Sequence, residues 1–116
     1  MHKALQAHDD VIASYEVSAY EVEGSNRRLR LLVTFHDGST LHVRDYVFAG
    51  ERRKYAFHWQ DSHGELRIRW DNAPHWPDID THPHHKHVGD PNRVEPAEEL
   101  ELEDVLEEIA RRLRSG

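Results

Sequence analysis

The segment from Trp70 to His87, WDNAPHWPDIDTHPHHKH, gathers the residue types best able to do chemistry in this chain. Four histidines, His82, His84, His85 and His87, fall within six residues; His75 precedes them and His58 lies upstream. The cluster is internal, so a terminal purification tag does not account for it. Three roles are open to it. In the first, His84, His85 and His87 supply nitrogen to a divalent ion such as zinc, with Asp71, Asp78 and Asp80 as oxygen donors. The spacing HHxH matches no specific zinc signature. Successive side chains alternate along an extended segment, so His85 and His87 can share a site that His84 cannot easily join.

In the second role the histidines carry acid–base chemistry on RNA. Internal attack by a ribose 2′-hydroxyl needs a base, an acid for the leaving oxygen and a cation on the phosphate. Imidazoles titrate near neutrality and can fill the first two positions. Lys86, Arg67 or Arg69 can fill the third. That reaction requires no metal, and no cofactor is expected on this reading; a divalent ion is the alternative. In the third role the histidines are surface or packing residues. Asp71-Asn72 also has a structural role open to it, since both residues favour turns and side-chain-to-backbone bonds. Trp59 and Trp70 share the apolar parity of their strands and are expected in the core, which leaves Trp76 as the exposed contact.

The elements that must position these residues are legible upstream. Residues 11–22 read as a strand and 23–27 as a turn. Leu29, Leu31, Val33 and Phe35 alternate with Arg28, Arg30, Thr34 and His36, the period of a half-buried strand. Asp37-Gly38-Ser39 is a hairpin signal, and Leu41, Val43 and Val47 continue the alternation. A strict two-residue loop would mix polar and apolar faces, so a three-residue loop is expected, pairing His36 with Thr40 and Phe35 with Leu41. A second hairpin joins Tyr55, Phe57 and Trp59 to Leu66, Ile68 and Trp70 through Asp61–Gly64, with Gln60 opposite Glu65, Trp59 opposite Leu66 and Phe57 opposite Ile68. Residues 71–97 hold all five prolines and no regular period; a connection of that length is usually functional or disordered. Residues 98–114 read as an amphipathic helix, with Leu102, Val105, Leu106, Ile109 and Leu113 on one face. Residues 1–10 are expected to be frayed or loosely helical. The fold class is α+β: one domain over 1–116, a five-stranded antiparallel meander with the C-terminal helix on its apolar face and a long Pro/His-rich loop.

The outward positions of the two hairpins are Arg28, Arg30, His36, His42, Arg44, His58, Gln60, Arg67 and Arg69. No acid lies in the middle of this set, so one face is expected to be basic although the chain carries a net charge of −7. The acidity is concentrated from Glu95 onward, where eight acids face three arginines. A basic face suits a phosphate backbone or an acidic partner; solvated side chains on an open sheet are the plainer account. The chain has no cysteine, hence no disulfide or thiolate metal site. No stretch approaches the roughly 18 apolar residues of a membrane span, and the N-terminus lacks the apolar run of a signal peptide. A cytoplasmic protein without a membrane partner is expected.

Three blocks resemble one protein family: Tyr55 to Gln60 (YAFHWQ) with the Asp61 and Gly64 turn, Arg69 to His75 (RWDNAPH), and Pro83 to Gly89 (PHHKHVG). In this order, with Glu95 and the helical VLEEI of Val105 to Ile109, they are similar to the TumE toxins of type II toxin–antitoxin systems. The resemblance spans about residues 11–113. It departs where the family often has a second histidine and this chain has Trp76, and where the family has an aromatic and this chain has His82. His75, His84, His85 and His87 are the histidines it carries over. It implies a growth-inhibiting toxin neutralised by an antitoxin, typically a helix-turn-helix protein encoded beside it.

Ribonuclease activity is inferred from the histidine chemistry and from how commonly such toxins attack RNA. On that reading His84, His85, His87, Lys86, Asp71 and His75 form the catalytic set. Arg67, Arg69, His58, Gln60, Asn72 and Trp76 bind substrate. The alternatives are a non-catalytic toxin that blocks its target through the basic face, and a metal protein ligated by His84, His85, His87 and Asp71. In each case the antitoxin is expected to cover residues 71–90 or the basic face.

Overall fold

Alternation along the strands produces a sheet with one apolar face, and the helices cover that face. The computed structural model describes residues 1–49 and 52–116. In chain order the elements are α1 (His2–Ala7), β1 (Ile12–Glu23), β2 (Asn26–Phe35), β3 (Thr40–Phe48), β4 (Arg52–Gln60), β5 (Leu66–Asp71), β6 (His85–Val88), β7 (Val94–Pro96) and α2 (Leu102–Ser115). All the strands form one antiparallel sheet in the order β1-β2-β3-β4-β5-β6-β7, a continuous meander.

The core lies between the inner face of this sheet and the helices. Leu31, Val33, Phe35, Leu41, Val43, Phe57, Trp59, Ile68 and Trp70 meet Leu102, Val105, Leu106, Ile109 and Ala110 of α2 and Leu5 of α1, all buried. Burying each large aliphatic side chain contributes about 1.5–3 kcal/mol. The start of α2 is fixed by the backbone N–H of Glu101, which donates to the Asp104 carboxylate at 2.8 Å. Asp45 and Arg53 pair on the inner face through two contacts of 2.9 and 3.0 Å. Arg53 also reaches Glu99 at 3.0 Å and Glu101 at 3.4 Å, tying β3 and β4 to the segment that leads into α2.

The antiparallel α+β class and the C-terminal helix agree with the sequence, but the sheet has seven strands rather than five. The two additional strands lie inside residues 71–97, expected as a loop. His85–Val88 pairs with β5, and Val94–Pro96 pairs with β6. Both are too short, and too poor in apolar residues, to carry a period. The N-terminal residues form a short helix because Ala4 and Leu5 bury against the core.

Both hairpin registers also differ from expectation. The first loop has the expected three residues, but they are His36, Asp37 and Gly38: the Phe35 N–H donates to Ser39 O at 2.9 Å, and Thr34 opposes Thr40. Gly38 takes a φ of 87°, and a Cβ there would stand 3.0 Å from the Ser62 Cβ. In the second hairpin Trp59 opposes Ile68 and Phe57 opposes Trp70. Each register is offset by two residues, which leaves every side chain on its expected face. One exception follows from a bulge. Gln60 opposes Leu66 while Trp59 opposes Ile68, so Arg67 is an extra residue on β5.

Candidate functional site

Cross-strand pairing across β5 and β6 assembles the site on the sheet face away from the helices. Asp71 opposes His85, and Arg69 opposes His87. Directly opposed residues share a face, so all four side chains emerge on the outer side. His85 Nε2 lies 3.0 Å from Asp71 Oδ1, His87 Nε2 lies 3.5 Å from Asp71 Oδ2, and the two Nε2 atoms are 3.2 Å apart. The three side chains are only 2%, 12% and 7% exposed for His85, His87 and Asp71.

Each member is held from behind. His85 Nδ1 stands 2.9 Å from the carbonyl oxygen of Pro83, and His87 Nδ1 stands 2.8 Å from that of Pro91. A carbonyl accepts only, so both Nδ1 atoms carry the proton and donate. The two Nε2 atoms then turn towards each other and the carboxylate. Asp71 accepts from the Ala73 N–H at 2.9 Å and from Arg69 Nε at 3.1 Å. Arg69 in turn approaches His58 Nδ1 at 3.3 Å. Burial, then the charge of Arg69 and the neighbouring His42, push the His58 imidazole below the usual histidine range. A neutral His58 accepts this bond and orients the guanidinium.

An open cleft of about 500 Å³ lies in front of the triad, lined also by His75, Trp76, Arg44 and Lys54. Trp76 sets its ring edge-on to His87, with centroids 6.2 Å apart. A second concavity, lined by His42, His58, Arg30, Ser18 and Glu16, shares Arg44, Ala56 and Arg69 with the first. Together they make one groove across the outer face from β1 to β6. The face is cationic, but it is not free of acids: Glu16 lines one end and Asp71 sits within the site.

The candidate residues of the sequence divide cleanly. Asp71, His85 and His87 come together, with Arg69 and His58 behind them and His75 and Trp76 in the cleft wall. His84 and Lys86 do not join them. His84 lies on the helix side, where its Nδ1 and the Tyr55 hydroxyl share a hydrogen bond of 2.9 Å. Burial pushes that phenol above its usual range; Arg53 opposes the shift without cancelling it, and Glu99, Asp71 and Asp45 add to it. Lys86 opposes Trp70 and shares its face. Arg67, displaced by the bulge, pairs with Asp37 at 2.9 Å and lies over the Trp59 ring at 4.8 Å. Asn72 is structural: its amide donates to Arg53 O at 2.7 Å and accepts from the Tyr55 N–H at 3.1 Å, extending the β4–β5 ladder. Gln60 lies two residues beyond His58 on β4 and lines neither part of the groove. Asp78 is exposed, as is Asp80, and both lie outside the triad.

Lys54 was missed. It shares its face with Ala56 and His58, and strand parity would have found it had the fourth strand been extended back from Tyr55.

A family model described as Toxin TumE matches residues 1–113. No curated protein and no solved structure matches the chain.

Proposed function

The chain belongs to the Toxin TumE family, and from that premise we propose that it arrests growth by cleaving RNA at the Asp71–His85–His87 centre. The observation that supports this reading is the position of a buried histidine–carboxylate centre at one end of a cationic groove. Arg30, Arg44, Lys54 and Arg69 follow the groove and suit successive phosphates of a single strand. The reaction is internal transesterification. The 2′-hydroxyl oxygen attacks the adjacent phosphorus and loses its proton to the centre. The bond to the 5′-oxygen breaks, and that oxygen takes a proton, leaving a cyclic 2′,3′-phosphate and a free 5′-hydroxyl.

The geometry refines the division of labour expected from sequence. Two Nε2 atoms 3.2 Å apart cannot stand on opposite sides of a phosphate. His85 and His87 therefore act as one unit with Asp71, and His75 in the cleft wall is the candidate for the second proton-transfer group. Arg69 braces Asp71 and faces the phosphate position.

The experiment has two arms. Expression of the chain alone should arrest growth, and co-expression of the neighbouring gene product, expected to be a helix-turn-helix antitoxin, should relieve it. Purified protein should cleave single-stranded RNA to cyclic-phosphate ends, and His87→Ala should abolish cleavage. Intact RNA together with undiminished toxicity would overturn the reading. A contact-only toxin is the second reading, and the continuous groove favours it. In that case His87→Ala stays toxic, while reversal of Arg30 and Arg44 to glutamate does not.

A further inference from the structure

We propose that Asp71, His85 and His87 bind one divalent transition-metal ion, with zinc the candidate best suited to two imidazoles and a carboxylate. Both imidazoles spend their Nδ1 protons on backbone carbonyls, of Pro83 and Pro91. Their Nε2 atoms therefore converge on each other and on the two oxygens of Asp71, at separations of 3.0, 3.2 and 3.5 Å. Atoms of this kind pack so closely only with a positive charge between them, a proton or a metal ion, and an ion satisfies all of them at once.

A metal ion fits that space. Ligand atoms bonded at about 2.0–2.2 Å stand roughly 3.0–3.5 Å apart around a tetrahedral or octahedral ion, the range seen between the two Nε2 atoms, from His85 to Oδ1 and from His87 to Oδ2, so the carboxylate presents one oxygen to each imidazole. The donor set, two neutral imidazoles and one carboxylate, suits zinc and its neighbours in the transition series better than magnesium or calcium. The outer contacts are also those of a ligating histidine, whose second ring nitrogen donates to a carbonyl or carboxylate and so fixes the tautomer. Asp71 is braced in the same way, by the Ala73 N–H and Arg69. Three protein ligands leave open positions, and these face the cleft lined by His75 and Trp76. A closed structural site would offer four. Among the described residues this is the one group of three such side chains whose donor atoms come within 4.8 Å of each other.

The ion would supply Lewis acidity towards a phosphate oxygen; with both Nε2 atoms held as ligands, the acceptance of the 2′-hydroxyl proton would pass from them to His75 in the cleft wall. That use rests on the RNA-cleaving reading; the binding itself rests on the donor geometry alone.

The test is metal binding by the full chain without a histidine tag, stripped with chelator and titrated calorimetrically with zinc, manganese and magnesium chlorides. One zinc ion per chain is expected, with weaker manganese binding, little magnesium binding and a melting temperature that rises with zinc. His87→Gln and Asp71→Asn should each weaken zinc binding by about 100-fold, the upper end of what loss of even an outer partner costs. His84→Gln and His82→Gln should bind as the parent does, although they remove equally zinc-avid side chains. His87 is the least buried ligand, so His87→Gln is the variant expected to fold, with circular dichroism as its check. Failure of the parent chain to bind zinc, or equal binding by a folded His87→Gln variant, would overturn the proposal. RNA cleavage unaffected by chelator would retain the RNA reading and remove the ion from it; zinc binding without cleavage would do the reverse.

Discussion

Tyr55 and His84 are locked together on the helix side of the sheet, with the phenol oxygen hydrogen-bonded to Nδ1 at 2.9 Å and the rings stacked at a centroid distance of 5.8 Å and an angle of 21°. The bond takes His84 away from the outer face and anchors the chain one residue before His85 enters β6. Tyr55→Phe should lower stability by about 1 kcal/mol, the net value of one hydrogen bond, and leave toxicity unchanged. Urea denaturation and growth assays read the two effects separately.

Arg53 should matter far more for stability. Its side chain is only 10% exposed, pairs with Asp45 through two bonds and lies over the Tyr55 ring at 4.3 Å. Arg53→Met leaves Asp45, itself 11% exposed, without its counter-ion. A loss of about 2–3 kcal/mol is expected, near the lower end for breaking a buried pair. Glu99→Gln, at a partner that is 51% exposed, should cost under about 1 kcal/mol. Equal effects in equilibrium unfolding would show that the exposed glutamates, not Asp45, carry the interaction.

Acid should destabilise the fold in two windows. His58 has a folded pKa below its unfolded value of about 6.5. The unfolded chain therefore binds the proton first, and this contribution, complete above pH ~6.5, is lost as pH falls from there towards the folded value. Asp37 behaves alike at lower pH. Burial alone would raise its pKa, but bonds from the Ser39 hydroxyl and N–H and from Arg67 outweigh burial and hold it below the carboxylate range. Its contribution is present above the unfolded value near 3.8 and is lost as pH falls through the folded one. Thermal melts of His58→Gln and Asp37→Asn should flatten the upper and the lower window respectively.

Arg44 lines both parts of the groove and has no ion-pair partner among the described residues. Arg44→Ala should weaken RNA binding and lower the slope of log affinity against log salt by about one. Arg67→Ala should leave that slope alone, because Arg67 is spent on Asp37 and Trp59. Fluorescence anisotropy with a labelled oligonucleotide at several salt concentrations measures both.

The contrast between Arg67 and Arg69 indicates how far the sequence could be read. Alternation placed Leu31, Val33, Phe35, Phe57, Trp59, Ile68 and Trp70 correctly in the core. It survived a two-residue error in both registers because side chains repeat every two residues. A bulge breaks that period, and nothing in GELRIRW announces one, so Arg67 was placed beside Arg69. Alternation likewise grouped His85 with His87 and set His84 apart. It could not pair Asp71 with His85, because that depends on which residues of a segment without periodic pattern return to lie beside β5. The same alternation sets Lys86 with His84, on the face opposite His85 and His87, a separation that placing Lys86 in the catalytic set overlooked.

Asp71 and His85 are direct cross-strand partners, yet residues 72–84 run between them. The donors are aligned by the β5–β6 ladder, while the connecting residues shape the cleft through His75 and Trp76. On the proposed function, chemistry and selectivity therefore reside in separable stretches of chain. Such a loop can lengthen, shorten or change its side chains with little effect on the ladder beneath it. Grafting a foreign connection between the same two strand ends would retune what is admitted to the centre while leaving the centre itself in register.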